Sequence, residues 1–180
     1  MSETRRIIRD GAIVTDEWTL VSADTPAEAL PAGKIIVPLA IWNAQREMIL
    51  ARGLPVGVWL ESSDGPTAIS GVLAHFAVIA VNFPKFTDGR GFSIATLLRS
   101  RYGFRGELRA VGDVLRDQLF YMRRAGFNSF ALRADKNIVD ALGALRDFSE
   151  NYQSDVNQPV PLFRRRVFRG PLAGSQRNVG

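Results

Sequence analysis

Hydrophobic and polar positions along this chain change their period several times, and the changes mark its elements. Residues 5–9 and 12–16 are two short apolar-containing segments joined at Asp10-Gly11, a dipeptide suited to the tight turn of a β-hairpin. Residues 24–33 (DTPAEALPAG) read as a connector, and Trp18 as a cover for the edge of the core. From Lys34 onward, strand-like and helix-like stretches alternate. Ile35-Ile36-Val37 is a buried-type strand stopped by Pro38, and Leu39, Trp42, Ile49 and Leu50 then recur at helical spacing over 39–52. A strand at 56–60 (VGVWL), a loop at 61–67 and a weakly helical stretch at 69–74 lead to residues 76–81 (FAVIAV). That uniformly apolar run is what a central strand of a parallel sheet requires. The same logic predicts a helix over 93–102, a strand over 107–111, a helix over 113–124, a strand over 128–132 and a last helix over 136–148.

One junction recurs: Arg52-Gly53-Leu54, Tyr102-Gly103-Phe104 and Ala125-Gly126-Phe127, each with an arginine in or beside the preceding helical turn. Glycine accepts the left-handed position just past a helix end, and arginine complements the helix dipole there. The pattern therefore predicts an α/β fold. About five βα units would form a mainly parallel sheet, open or half-barrel-like, with right-handed crossovers. The expected organisation is an N-terminal hairpin and connector (1–33), the α/β body (34–150) and an irregular basic tail (151–180). The last ten or so residues of the tail are expected to lack order.

Composition narrows the chemistry. The 180 residues contain no cysteine, which excludes disulfides, thiolate nucleophiles and Cys-held zinc or iron–sulfur centres on this chain. No stretch reaches membrane-span length, and the start (MSETRRIIRDG) turns charged too soon for a signal peptide. A cytoplasmic location without membrane contact is the expectation. The net charge of +5 is uneven: residues 82–133 hold ten Lys or Arg against four Asp or Glu, and five arginines follow Asp155 with no acid among them. A basic middle between acidic flanks suits a small anion or an acidic protein surface. Nucleic acid is not expected, because no recognition signature accompanies the arginines.

In a parallel α/β sheet, ligands gather beyond the carboxyl ends of the strands. The loop after Val81 is the expected anion cradle: Lys85, Asp88, Gly89, Arg90, Gly91 and Ser93, with free N–H groups at a helix start and Arg90 able to grip an oxyanion. The plainer alternative makes Asp88-Gly89 a turn and Ser93 a helix N-cap. Asp113, after Gly112 at the next strand end, is either a helix cap or a carboxylate facing the same mouth, where it would serve as a catalytic acid/base. Phe83, Phe86 and Phe92 would wall the loop. His75 is the single histidine and reads as structural, and no metal site is expected. Without a third glycine or a GK[ST] run, neither a dinucleotide nor a P-loop cofactor is expected. Phe163 with Arg164, Arg165 and Arg166 has the makeup of a partner-docking patch. An exposed sheet edge would favour a homodimer.

The run FTDGRGFSIATLLRSRYGFRGELRAVGDVLRDQLFYMRRAGF (86–127), with PVPLFRRR (159–166), resembles a bacterial family of uncharacterised proteins. Its members are typically encoded beside the sulfite reductase haem subunit and are often labelled oxidoreductases of sulfite reduction. The likeness spans roughly residues 30–166 and lands on Asp88, Gly89, Arg90, Gly91, Gly106, Glu107, Leu108, Arg109, Gly112, Asp113, Asp117 and Gln118. It implies an accessory protein of assimilatory sulfite reduction that docks on the reductase haem subunit and holds a small oxyanion such as sulfite. The alternative is a small α/β enzyme acting on an anionic substrate.

Overall fold

Strands and helices alternate through the residues that this computed structural model describes, 5–26, 29–85 and 87–146. The hairpin forms as its dipeptide predicts: β1 (Arg6–Arg9) pairs antiparallel with β2 (Ala12–Thr15), turned by Asp10 and Gly11 at φ +51° and +77°. Next come β3 (Trp18–Leu20), β4 (Lys34–Pro38), α1 (Leu39–Ala51), β5 (Val56–Leu60) and β6 (Phe76–Phe83). They are followed by α2 (Arg90–Ser100), β7 (Glu107–Gly112), α3 (Leu119–Ala125), β8 (Ser129–Phe130) and α4 (Ile138–Arg146). Gly53, Gly103 and Gly126 of the recurring junction all have positive φ.

The eight strands make one curled, largely parallel half-barrel sheet in the order β2-β1-β8-β7-β6-β5-β4-β3, and β3 to β8 run parallel in chain order. Chain connectivity requires the curl. The two edge strands, β2 and β3, are joined by Asp16 and Glu17 alone, a link that spans at most about 11 Å. In a flat sheet the same edges would stand about 33 Å apart. The stagger that accompanies curling brings the end of β2 beside the start of β3.

A two-faced core follows. One face buries Val37, Val58, Ile79, Leu108 and Phe130 against the helices, which contribute Trp42, Ile49, Ile94, Leu98, Leu119, Met122 and Leu145. The other face buries Ile7, Ile36, Val78, Ala80, Val111 and Ala131, with Trp18 and Trp59 packed on them. Among the described residues no helix contributes to this second cluster, which lies inside the curl of the sheet. Gly57 belongs here: a Cβ at this position would stand 2.9 Å from the Val78 carbonyl oxygen. Among these inner positions lies an ion cluster. Arg109, 2% exposed, donates Nη1 to both Asp16 oxygens (2.9 and 3.1 Å) and Nε to Glu107 Oε1 (2.9 Å). Its Nη2 makes a close ionic contact with the same Glu107 oxygen rather than an aligned hydrogen bond.

Three elements differ from the sequence expectation. Trp18 does not merely cover the core edge; it begins β3, which pairs parallel with Lys34–Ile36. The helix expected from Asp113 starts late. The chain is extended at Leu115, makes one 3-10 turn over Arg116–Gln118 and only then enters α3. The reason is local, because the Asp113 N–H goes to the Phe83 carbonyl (2.7 Å) and prolongs the strand-like course. The stretch at 69–74 resolves into two 3-10 turns, Pro66–Ile69 and Leu73–His75, and His75 packs its ring on Trp42.

Candidate functional site

The charged loops collect at the carboxyl ends of the parallel strands, and each strand exit there holds its polar side chains differently. After β6, Asp88 turns its carboxylate back onto the start of α2. Oδ1 accepts from the Arg90 backbone N–H (3.1 Å) and from Arg90 Nε (3.0 Å), while Oδ2 accepts from Nη2 (2.7 Å). The same Nη2 donates to Ser62 Oγ (3.0 Å), so Arg90 leans toward the loop after β5. The Arg90 guanidinium, aided by the Ser62 hydroxyl, holds the Asp88 carboxyl well below the usual carboxylate range. The chain's own carboxylate thus occupies the position in which an external anion was expected.

The other cradle residues take lesser parts. Gly89 is the N-cap of α2, so Ser93 lies a turn inside the helix and is exposed instead of capping it. Gly91 serves packing, since a Cβ there would stand 2.5 Å from the Phe83 ring. Lys85 is exposed, with no ion pair to an acid among the described residues. Phe83 and Phe92 stack edge-to-face at 5.5 Å as expected of the loop wall, and Phe86 lies outside the described residues.

After β7, Gly112 sits at φ +89°, where a Cβ would fall 2.4 Å from Asn82 Oδ1. Only glycine lets the two strand ends approach so closely. Asn82 in turn donates Nδ2 to Glu61 Oε2 (2.8 Å), tying β6 to the loop after β5. Asp113 is no helix cap; its Oδ1 accepts from Arg133 Nη1 (2.9 Å), so it leans toward the exit of β8. Arg90 and Asp113 therefore share one end of the sheet on adjacent strands but are drawn in opposite directions.

The exit of β8 holds what the sequence reading missed. Arg133 also donates Nε and Nη2 to the two oxygens of Asp135, both at 2.9 Å, and Lys136 Nζ stands 3.2 Å from Asp135 Oδ2. Donating to Asp135, and then to Asp113, pushes the Arg133 pKa up, and Arg133 first, then Lys136, pulls Asp135 down. Beside them is a hollow of about 450 Å³ lined by Arg5, Arg6, Leu132, Arg133, Ala134, Lys136 and Ile138. Arg5 and Arg6 arrive from the start of β1, which pairs with β8 antiparallel and so delivers its first residues to the carboxyl end. The sequence signal was the Arg5-Arg6 pair, but its destination depends on pairing across more than a hundred residues.

Among the described residues, no three His, Cys, Asp or Glu side chains come together as a metal site, and no helix is long and apolar enough to cross a membrane. Phe163, Arg164, Arg165 and Arg166, the expected docking patch, lie outside the described residues.

The fold and this end of it define a small α/β protein built on a curled parallel sheet, with its charged loops gathered at the strands' carboxyl ends. The chain belongs to the bacterial protein family of unknown function DUF934, whose model matches residues 57–163. No curated protein matches it. The matched span runs from β5 onward and includes Arg90, Asp113, Arg133 and Lys136, whereas Arg5 and Arg6 precede it.

Proposed function

We propose that the protein is a non-catalytic accessory of assimilatory sulfite reduction in the cytoplasm. In this reading it binds a small oxyanion such as sulfite at the carboxyl end of its sheet and docks on the sulfite reductase haem subunit through Phe163 to Arg166. The observation that carries the reading is the convergence of Arg5, Arg6, Arg133 and Lys136 on one hollow, at the end of an α/β sheet where ligands gather. The resemblance carried by residues 86–127 and 159–166 supplies the oxyanion and the partner. Arg90 contributes to the field of that end while remaining clamped by Asp88. The alternative, an enzyme with Asp113 as acid/base, has less support, because Asp113 gives its Oδ1 to Arg133.

Calorimetric titration of the full chain with sulfite tests the binding half. Replacing Arg6 by Ala should weaken sulfite binding about tenfold, the typical worth of one charge-assisted contact. Undiminished affinity in Arg6→Ala and Arg133→Ala alike would remove the hollow from the proposal. Pull-down of the reductase haem subunit by the full chain, compared with a chain lacking residues 160–180, tests docking. Equal capture by both would clear the tail of that role.

A further inference from the structure

We infer that the hollow beside β8 takes an organic oxyanion, a phosphate- or sulfate-type head carried on an apolar body about the size of an aromatic ring. The inference rests on the reading of this hollow as an anion site and goes on to specify the ligand class. Size is the first argument. A volume of about 450 Å³ lies within the range of small-molecule pockets, about 300–1,000 Å³. It is on the order of fifteen times the share of one water molecule in the liquid. An inorganic oxyanion would leave most of it to solvent.

The lining gives the second argument. Beside its charged members the lining has an apolar portion: Leu132, Ala134 and Ile138. Leu132 and Ile138 are only partly buried, and they pack against the helix-side core from beneath. The charged members are not equally available. A guanidinium has five N–H donors, and Arg133 gives Nε, Nη1 and Nη2 to Asp113 and Asp135. Lys136 is shared with Asp135, and Arg5 stands 3.9 Å from Asp16. Arg6 is exposed and forms no ion pair among the described residues. An anionic head therefore has Arg6, Arg5 and Lys136 to meet, with Arg133 already held by its two carboxylates. The start of α4 is not the anion holder, because Asn137 Oδ1 already accepts from the Val139 and Asp140 N–H groups (2.9 and 3.3 Å). With the head placed among the cations, the rest of the ligand lies on Leu132 and Ile138.

The test is calorimetric titration of the full chain, at fixed ionic strength, with inorganic phosphate, sulfite and phenyl phosphate. Phenyl phosphate should bind about tenfold more tightly than inorganic phosphate, as burial of a ring implies. Ile138→Ser should erase most of that advantage while leaving inorganic phosphate unchanged, and Arg6→Ala should weaken both ligands alike. Val139→Ser, at an exposed neighbouring position, should change neither. Ile138→Ala, gentler on the packing beneath, should give an intermediate loss if the serine variant folds poorly. If phosphate or sulfite binds and phenyl phosphate binds no better, or if both Ile138 variants keep its advantage, the organic body is refuted and the oxyanion reading stands. If none of the three ligands binds, both readings fall.

Discussion

Arg109 carries a charge into the inner face of the sheet, and Asp16 is the counter-charge that makes this tolerable. Both side chains are almost fully shielded from solvent, and removing Asp16 leaves the buried Arg109 only partly compensated, by Glu107. Asp16→Ala should therefore destabilise the fold by about 3 kcal/mol, the lower end of the range for a broken buried pair because Glu107 remains, measured by chemical denaturation. The double variant Asp16→Asn, Arg109→Met should recover a substantial part of that loss, since both positions are then uncharged and Glu107 keeps Arg9 at 3.7 Å. A single-variant loss within the range of surface pairs, about 0–1 kcal/mol, would show that the cluster is hydrated in solution. Asp88 offers a pH-dependent counterpart. Arg90 and Ser62 depress its pKa below the ordinary 3.8. Its contribution to stability is thus fully present above that value and is lost as pH falls through the lower folded-state pKa. Carbon-detected NMR should find Asp88 still ionised where an ordinary aspartate is half protonated, and Arg90→Gln should move its titration back toward the ordinary range. Neither partnership was legible in the sequence. Asp88 read as a turn residue or a ligand contact, and Arg109 as one arginine among several, because charge partners are chosen by the sheet and not by spacing.

Elements were more legible than partners. The alternation of strand and helix patterns located β4 to β8 and α1 to α4, because each buries a continuous apolar face whose period shows in the sequence. Where tertiary contacts override local preference the pattern fails. β3 is three residues long and is held by its parallel neighbour, and α3 starts late because Asp113 is recruited by Phe83 and Arg133. The recurring arginine-glycine junction was read correctly for glycine and incompletely for arginine. Arg52 donates to the carbonyls of Pro31 and Gly33. Arg99 donates to the carbonyls of Gly126, Phe104 and Gly106 and to Asn128 Oδ1. Arg52 thus fastens its junction to the connector before β4, and Arg99 fastens one junction to another, which the dipole argument alone does not describe. Burial pulls the Arg99 pKa down, but its acceptors hold the charge in place. Arg99→Met should cost about 3 kcal/mol, since it strands acceptors at the amino end of the sheet. Arg99→Lys should rescue little of it, because one ammonium cannot reproduce the planar fork. Thermal melting of the two variants side by side distinguishes this role from simple packing, which lysine's stem would largely restore.

At the scale of the whole molecule the two ends of the sheet divide the labour. The amino end is tied by Arg99 and Asn128 into backbone acceptors, with Asn128 also bound to the Leu108 N–H and to Asp10. The carboxyl end presents side chains to solvent around a hollow. The sequence set its candidate loops at that carboxyl end, through the strand exits. It placed the basic focus at the β6 exit, whereas the hollow lies two strands further on, at β8. The displacement has a physical cause: Asp88 satisfies the loop that looked most like a cradle, while two of the hollow's four cations come from the far end of the chain.

The pairing of β1 with β8 also sets an order of events during synthesis. Ile8 finds its ladder partner in Phe130, so the segment that leaves the ribosome first has no edge to join until more than a hundred further residues have been made. The Arg5-Arg6 wall waits on that same late arrival, and the Asp16 counter-charge waits on Arg109 of β7. The nascent chain must therefore carry its opening hairpin undocked for most of its elongation, and the hollow beside β8 is among the last features to be completed.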